Sequence, residues 1–171
     1  MKRDIKIGIT GHRDIVQTKE LKRDVREYLS EILSQNQESR ITLLSPLADG
    51  ADRFVADIFL DLAKKHKNLK LIVPMPFDQE RYIEDFDKSS QKEFLDYLKI
   101  AYDIIEVENS QGCNYKSVGV YIADESDVLL ALWDGSFNHK SGGTGDIVKY
   151  ARGQGKEIIH FLCDREQNSV N

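Results

Sequence analysis

Asp127–Gly153, DVLLALWDGSFNHKSGGTGDIVKYARG, is the stretch whose reading decides the fold. After Asp127 the run DVLLALW (Asp127–Trp133) is apolar without alternation. That is the pattern of a strand covered on both faces, as in parallel sheets. Asp134-Gly135 is a turn signal, and a polar stretch then leads to Gly142-Gly143-Thr144-Gly145. Residues Ile147 to Arg152 read as a helix, and EIIHFL (Glu157 to Leu162) reads as a further strand. Small residues between a buried strand and a helix leave first-turn amides bare, which is the context a phosphate site requires. The alternative reading of the glycines is a hinge.

Working outward, the same alternation recurs. IKIGIT (Ile5 to Thr10), RITLLS (Arg40 to Ser45), LKLIVP (Leu69 to Pro74) and DIIEV (Asp103 to Val107) read as strands. Helical spacing marks Thr18 to Leu33 and Asp49 to His66, and YKSVGVYIADES reads as a short helix. Asp78 to Ala101 is charged, with apolar residues interspersed. No segment repeats, and no Pro/Gly/Ser-rich linker divides the chain. Six strands alternating with helices predict one α/β domain over 1–163. It is a single Rossmann-like three-layer domain with a mainly parallel sheet of about six strands flanked by helices. Residues 164–171 read as a polar, frayed tail. In such a sheet ligands bind beyond the carboxyl ends of the strands, so the loops there are the candidates.

Four loops share an anion-binding character. In TGHRD (Thr10 to Asp14), Gly11 can aim amides outward, Arg13 supplies forked donors, and His12 donates or accepts by tautomer. A tight turn with an Arg–Asp surface pair is the alternative. In SPLADGADRF, Asp49 reads as an N-cap, Gly50 permits close approach, and Asp52 and Arg53 follow in the first helical turn. An arginine at a helix N-terminus opposes the dipole, which points to an anion. In PMPFDQERYIEDF, Phe77 and Tyr82 could stack on a base. Asp78, Gln79, Glu80 and Arg81 could bond its edge or a sugar; the bland reading is a charged helix start over a buried Phe. The fourth loop holds Gly142, Gly143, Thr144 and Gly145.

Composition bounds the function. The chain has 171 residues, 40% hydrophobic and 31% charged, with net charge −5 and a pI near 5.4. The acidic balance argues against nucleic acid or an anionic membrane as partner. Cys113 and Cys163 lack metal spacing and read as free thiols of a reducing compartment. MKRDIKIGIT shows no apolar signal region, and no run approaches the roughly 20 residues of a membrane span. The expectation is a cytoplasmic protein. His12, His66, His139 and His160 are scattered, so no metal site is expected. No cofactor is required, although Mg²⁺ could enter through a ligand phosphate.

Together, GITGHRD, LADGADRFVAD and SDVLLALWDG…SGGTGDIVKYARGQGKEII resemble the SLOG superfamily of Rossmann-like nucleotide-binding domains. That group includes the Lonely Guy phosphoribohydrolases and DprA. The resemblance spans roughly residues 5 to 162. It implies a glycine loop that holds the phosphate of a nucleotide-like or NAD-derived ligand, and a dimer or larger homo-oligomer. Some members sense such signals in antiviral defence, and others cleave N-glycosidic bonds. The Lonely Guy loop resembles GGxGTxxE, whereas here Asp146 follows Gly145, and Val148 and Lys149 occupy the turn of the enzymes' Glu. The expectation is therefore ligand binding or sensing, with N-glycosidic hydrolysis or transfer as the alternative. For the alternative, Asp146, Glu80 and Asp134 are the available carboxylates, none indicated by motif.

Overall fold

Alternate residues of each central strand pack into different cores. In the computed structural model, which describes residues 3–166, six strands form one all-parallel sheet. They are β1 (Asp4–Gly11), β2 (Arg40–Leu44), β3 (Leu69–Met75), β4 (Asp103–Glu106), β5 (Val128–Trp133) and β6 (Glu157–Leu162). Val128, Leu130 and Leu132 of β5 join one cluster, with Ile7 and Ile9 of β1. It also takes the apolar faces of α1 (Lys19–Gln35), α2 (Ala51–Ala63) and α4 (Lys88–Ile100). Leu129 points the other way, onto α5 (Asn114–Glu125) and α6 (Thr144–Gly153). The period of two along a strand thus builds a helix layer on each side of the sheet, and the architecture is a single Rossmann-like three-layer α/β domain.

The strand order is β4-β3-β2-β1-β5-β6. The chain runs outward from β1 through β2 and β3 to β4, then returns to lay β5 on the opposite side of β1. Thr10 pairs with Ala131 and Gly11 with Leu132, so the β1 and β5 ends diverge side by side. At that reversal the two exit loops turn toward opposite helix layers and leave a crevice. Glycines let the layers close around it. A Cβ at Gly8 would stand 2.2 Å from Ser126 Oγ on the α5 side, and one at Gly119 would stand 2.4 Å from Ile147 of α6.

Three local expectations change. The charged segment after β3 is broken into α3 (Gln79–Tyr82), a 3-10 turn over Ile83–Asp85, and α4. The break follows from capping: Asp78 accepts from Arg81 N and Asp87 from Ser90 N, so each aspartate starts a new helix. The α6 helix begins at Thr144 rather than Ile147, which puts two of the loop glycines at its cap and first turn. The polar tail is not frayed from its start. Val16 N donates to the Asp164 carbonyl and Glu166 N to the Asp14 carbonyl, around an antiparallel bridge between Ile15 and Arg165. Residues 167–171 of the expected tail lie outside the described residues.

Candidate functional site

The β1 exit loop is held against the start of α2. Ala51 N donates to the His12 carbonyl at 3.0 Å, and any Cβ at Gly11 would meet Ala51 Cβ at 2.3 Å. Gly50 has φ +83, and a Cβ there would lie 2.2 Å from the Arg13 carbonyl oxygen. These two glycines therefore permit the contact of loop with helix.

Asp49, expected as the N-cap of α2, does not cap it. Gly50 holds that position without a side-chain bond, because its left-handed backbone carries Asp49 away from the helix axis. Asp49 instead accepts from Ser90 Oγ at 2.6 Å and pairs with Arg53 at 3.1 Å. Arg53 is buried, with Nε donating to the Leu47 carbonyl and Nη1 to Ser90 Oγ and Glu93. Its guanidinium lies 4.8 Å over the Phe86 ring. Asp49 and Glu93 both pair with Nη1 of the arginine that the dipole argument reserved for a ligand, while Nη2 is buried without a hydrogen-bond partner among the described residues. Asp49, Gly50 and Arg53 are not among the residues lining the crevice.

The β5 exit loop is shaped by two aspartates. Asp134 accepts from Ser136 N at 2.9 Å and Ser136 Oγ at 2.7 Å, and Trp133 Nε1 donates to the Ser136 carbonyl at 2.8 Å. Asp146 reaches back from α6 to accept from Gly142 N at 2.8 Å, and Lys116 Nζ stands 3.4 Å from the same oxygen. Gly142 turns with φ +77, and its Cβ position is 2.9 Å from Lys116 N. Gly143 is then the N-cap of α6 with no side-chain bond, so the amides of the first turn are left for another acceptor. Asp134 and Asp146 thus act on the loop itself, and Glu80 is exposed on α3. None of the three carboxylates lines the crevice.

The crevice encloses about 640 Å³. Gly11, His12, Arg13, Asp52, Gly142, Gly143, Thr144 and Gly145 all line it, so the structure brings together eight of the sequence-nominated binding residues. Asp14, Tyr82, Asp85, Tyr115, Lys140 and Arg165 complete much of the wall. Tyr82 is buried and donates to the Pro46 carbonyl, so its ring is held in the wall. Phe77 meets Tyr115 edge-on at 5.5 Å and does not itself line the space. Tyr115, half-exposed in the first turn of α5, has its hydroxyl on Asp85 and the Arg13 guanidinium 6.0 Å from its ring centre. Sequence reasoning missed Tyr115 and Arg165. A tyrosine in a short helix and an arginine in a polar tail carry no periodic signal, and only the bridge at Ile15 places Arg165.

Charge in the crevice is mixed. Arg13 is exposed and has no ion-pair partner among the described residues, and Lys140 is likewise exposed. Arg165 is tied to Asp14 at 2.8 Å. His12 is buried, and its Nε2 lies 3.2 Å from both the Asp134 amide and the Asp134 carboxylate. One ring nitrogen satisfies one of these at a time. Burial, with the Arg165 charge second, pulls the imidazole below its usual 6.5 against the pull of Asp134, which favours the neutral ring accepting from the amide. Asp52 is the opposite case. Burial pushes its carboxyl from 3.8 up to about 7, although the Ala48 amide at 3.1 Å and the charges of Arg13 and Arg53 favour the anion.

No family model matches the chain, and no curated protein matches it. Among the described residues no helix is long and apolar enough to cross a membrane. Nor, among those residues, is any group of three or more His, Cys, Asp or Glu side chains placed to hold a metal ion.

Proposed function

We propose that this chain binds or senses a nucleotide or NAD-derived phosphorylated ligand in the crevice between the β1 and β5 exit loops, as a SLOG-type domain. The observation that carries the reading is the first turn of α6, without a side-chain cap and walled by Gly143, Thr144 and Gly145, opening into the same crevice as Arg13, which has no ion-pair partner among the described residues. Bare helix amides and an arginine fork are complementary to a phosphate, and the volume suits a nucleotide-sized molecule. Tyr115 offers a partly exposed ring at the wall for a base. The phosphate is held at α6, and Arg13 neutralises its charge. Any Mg²⁺ enters through the ligand's own phosphates.

Calorimetric titration with ADP-ribose, AMP and inorganic phosphate tests the proposal. Saturable binding of at least one nucleotide, weakened by Arg13→Ala, is expected; binding of none of them overturns it. N-glycosidic cleavage is the second reading, and Asp52 favours it. A buried carboxyl poised near neutral pH is a group that can exchange a proton with a departing base. Release of free base from AMP, followed by chromatography, separates turnover from binding.

A further inference from the structure

Among the described residues three carboxyl groups line the crevice, and two are committed to neighbours. Asp14 is paired with Arg165 at 2.8 Å. Asp85 accepts from the Tyr115 hydroxyl at 2.5 Å and pairs with Arg81 at 3.2 Å. Asp52 differs from both. It is 6% exposed, and its carboxylate takes one hydrogen bond, from Ala48 N. Among the described residues no cation stands within ion-pair distance of it. The cation next to it in sequence, Arg53, is drawn off by Asp49, Glu93, Ser90 and the Leu47 carbonyl.

We propose that Asp52 is a ligand-selecting residue of the crevice that works as the neutral acid, so that an anionic ligand is taken up together with one proton. The inference rests on the anion-binding reading above. An ionised Asp52 in a poorly solvated wall repels a bound phosphate, whereas the protonated form carries no charge and offers a donor. Balance is simple: carboxylate, one solvent proton and the anion combine into one complex, and no bond of the ligand breaks.

The surroundings support this from each packed element. Arg13 on the β1 loop and Arg53 on α2 are the nearby positive charges, and Tyr82 on α3 is the nearby neutral hydroxyl. Burial outweighs both arginines and pushes the Asp52 carboxyl up to about 7. Burial pulls the His12 imidazole below its usual 6.5, away from the interval between pH 7.5 and 8.5.

ADP-ribose is the informative probe, because its phosphates are diesterified and keep constant charge where a monoester with a second pKa of about 6 would not. For the wild-type chain, affinity should fall on the order of tenfold between pH 7.5 and 8.5, with no comparable fall between pH 6.5 and 7. Titrations at pH 7.5 in buffers of different ionisation heat should show net proton uptake on binding. Asp52→Asn should bind as tightly at pH 8.5 as at pH 7, without proton uptake. The proton-uptake measurement on the wild-type chain stands even if that variant does not fold. Saturable binding with pH-independent affinity and no proton uptake overturns the role of Asp52 and leaves the site intact. Absence of binding at pH 6.5 overturns the site and this proposal together.

Discussion

The amide of Gly142 shows how one bond shapes the crevice. It donates to Asp146, and that aspartate is itself held by Lys116. Asp146→Ala removes the acceptor and should cost about 1 kcal/mol. A drop in the urea midpoint checks the stability, and calorimetry should show weaker ADP-ribose binding through a loosened loop. Gly142→Ala should be worse. A φ of +77 costs an alanine roughly 1–2 kcal/mol, and its Cβ would press on Lys116 N. Arg13→Ala should leave the melting temperature nearly unchanged, since the side chain is exposed, and weaken nucleotide binding about 10- to 100-fold. The four glycine-loop residues and Arg13 were legible as crevice residues because they follow strands whose carboxyl ends lie where the sheet opens. Arg53 looked equivalent by the same logic, but the fold pairs its Nη1 with Ser90 and Glu93, about forty positions later, and it does not line the crevice.

Between elements, the contact of the β1 loop with α2 governs where the ligand residues stand. Gly50→Ala puts a methyl group against the Arg13 carbonyl in a backbone region that only glycine occupies readily, and should destabilise by at least about 2 kcal/mol. Thermal unfolding measures that loss. The C-terminal segment holds the same loop from the other side. Arg165→Ala strands the Asp14 carboxylate, whose Oδ2 is already buried without a hydrogen-bond partner among the described residues. A loss of about 1–3 kcal/mol is expected, with faster hydrogen exchange at Val16 and Glu166. Strand and helix existence was readable from period alone, because burial on a sheet or helix imposes periods of 2 and 3.6. The antiparallel bridge at Arg165 was not, since a single pair of residues leaves no period behind.

At the scale of the whole molecule, stability should carry the signature of Asp52. Its folded carboxyl titrates at about 7 and its unfolded one near 3.8, so the folded chain keeps a proton that the unfolded chain loses. The stabilisation is complete below 3.8 and declines as pH rises to about 7, at up to about 1.4 kcal/mol per pH unit. Asp4, Asp61, Asp87 and Asp134 are shifted below their ordinary range and act in the other direction, stabilising as pH rises from acid. The difference between Asp52→Asn and the wild type isolates the contribution of Asp52. Urea unfolding should show the variant gaining on the wild type from pH 4 to pH 7 and holding that gain above. A gain independent of pH would sink the assignment.

What the residues alone determined was the α/β class, the mainly parallel sheet of about six strands, and a glycine loop between a buried strand and a helix. Each of these follows from local pattern: the apolar run of β5, the alternation of period, and the small residues after it. What only the tertiary structure decided was which polar groups meet. Strand order puts β1 beside β5 and opens the crevice there. It also draws Arg53 to Glu93 and brings Arg165 from beyond the last strand. Among the described residues it leaves Asp52 without a cation in contact. Charge pairing and desolvation depend on distance in space and on the loss of water, and neither is encoded in the spacing of residues along the chain.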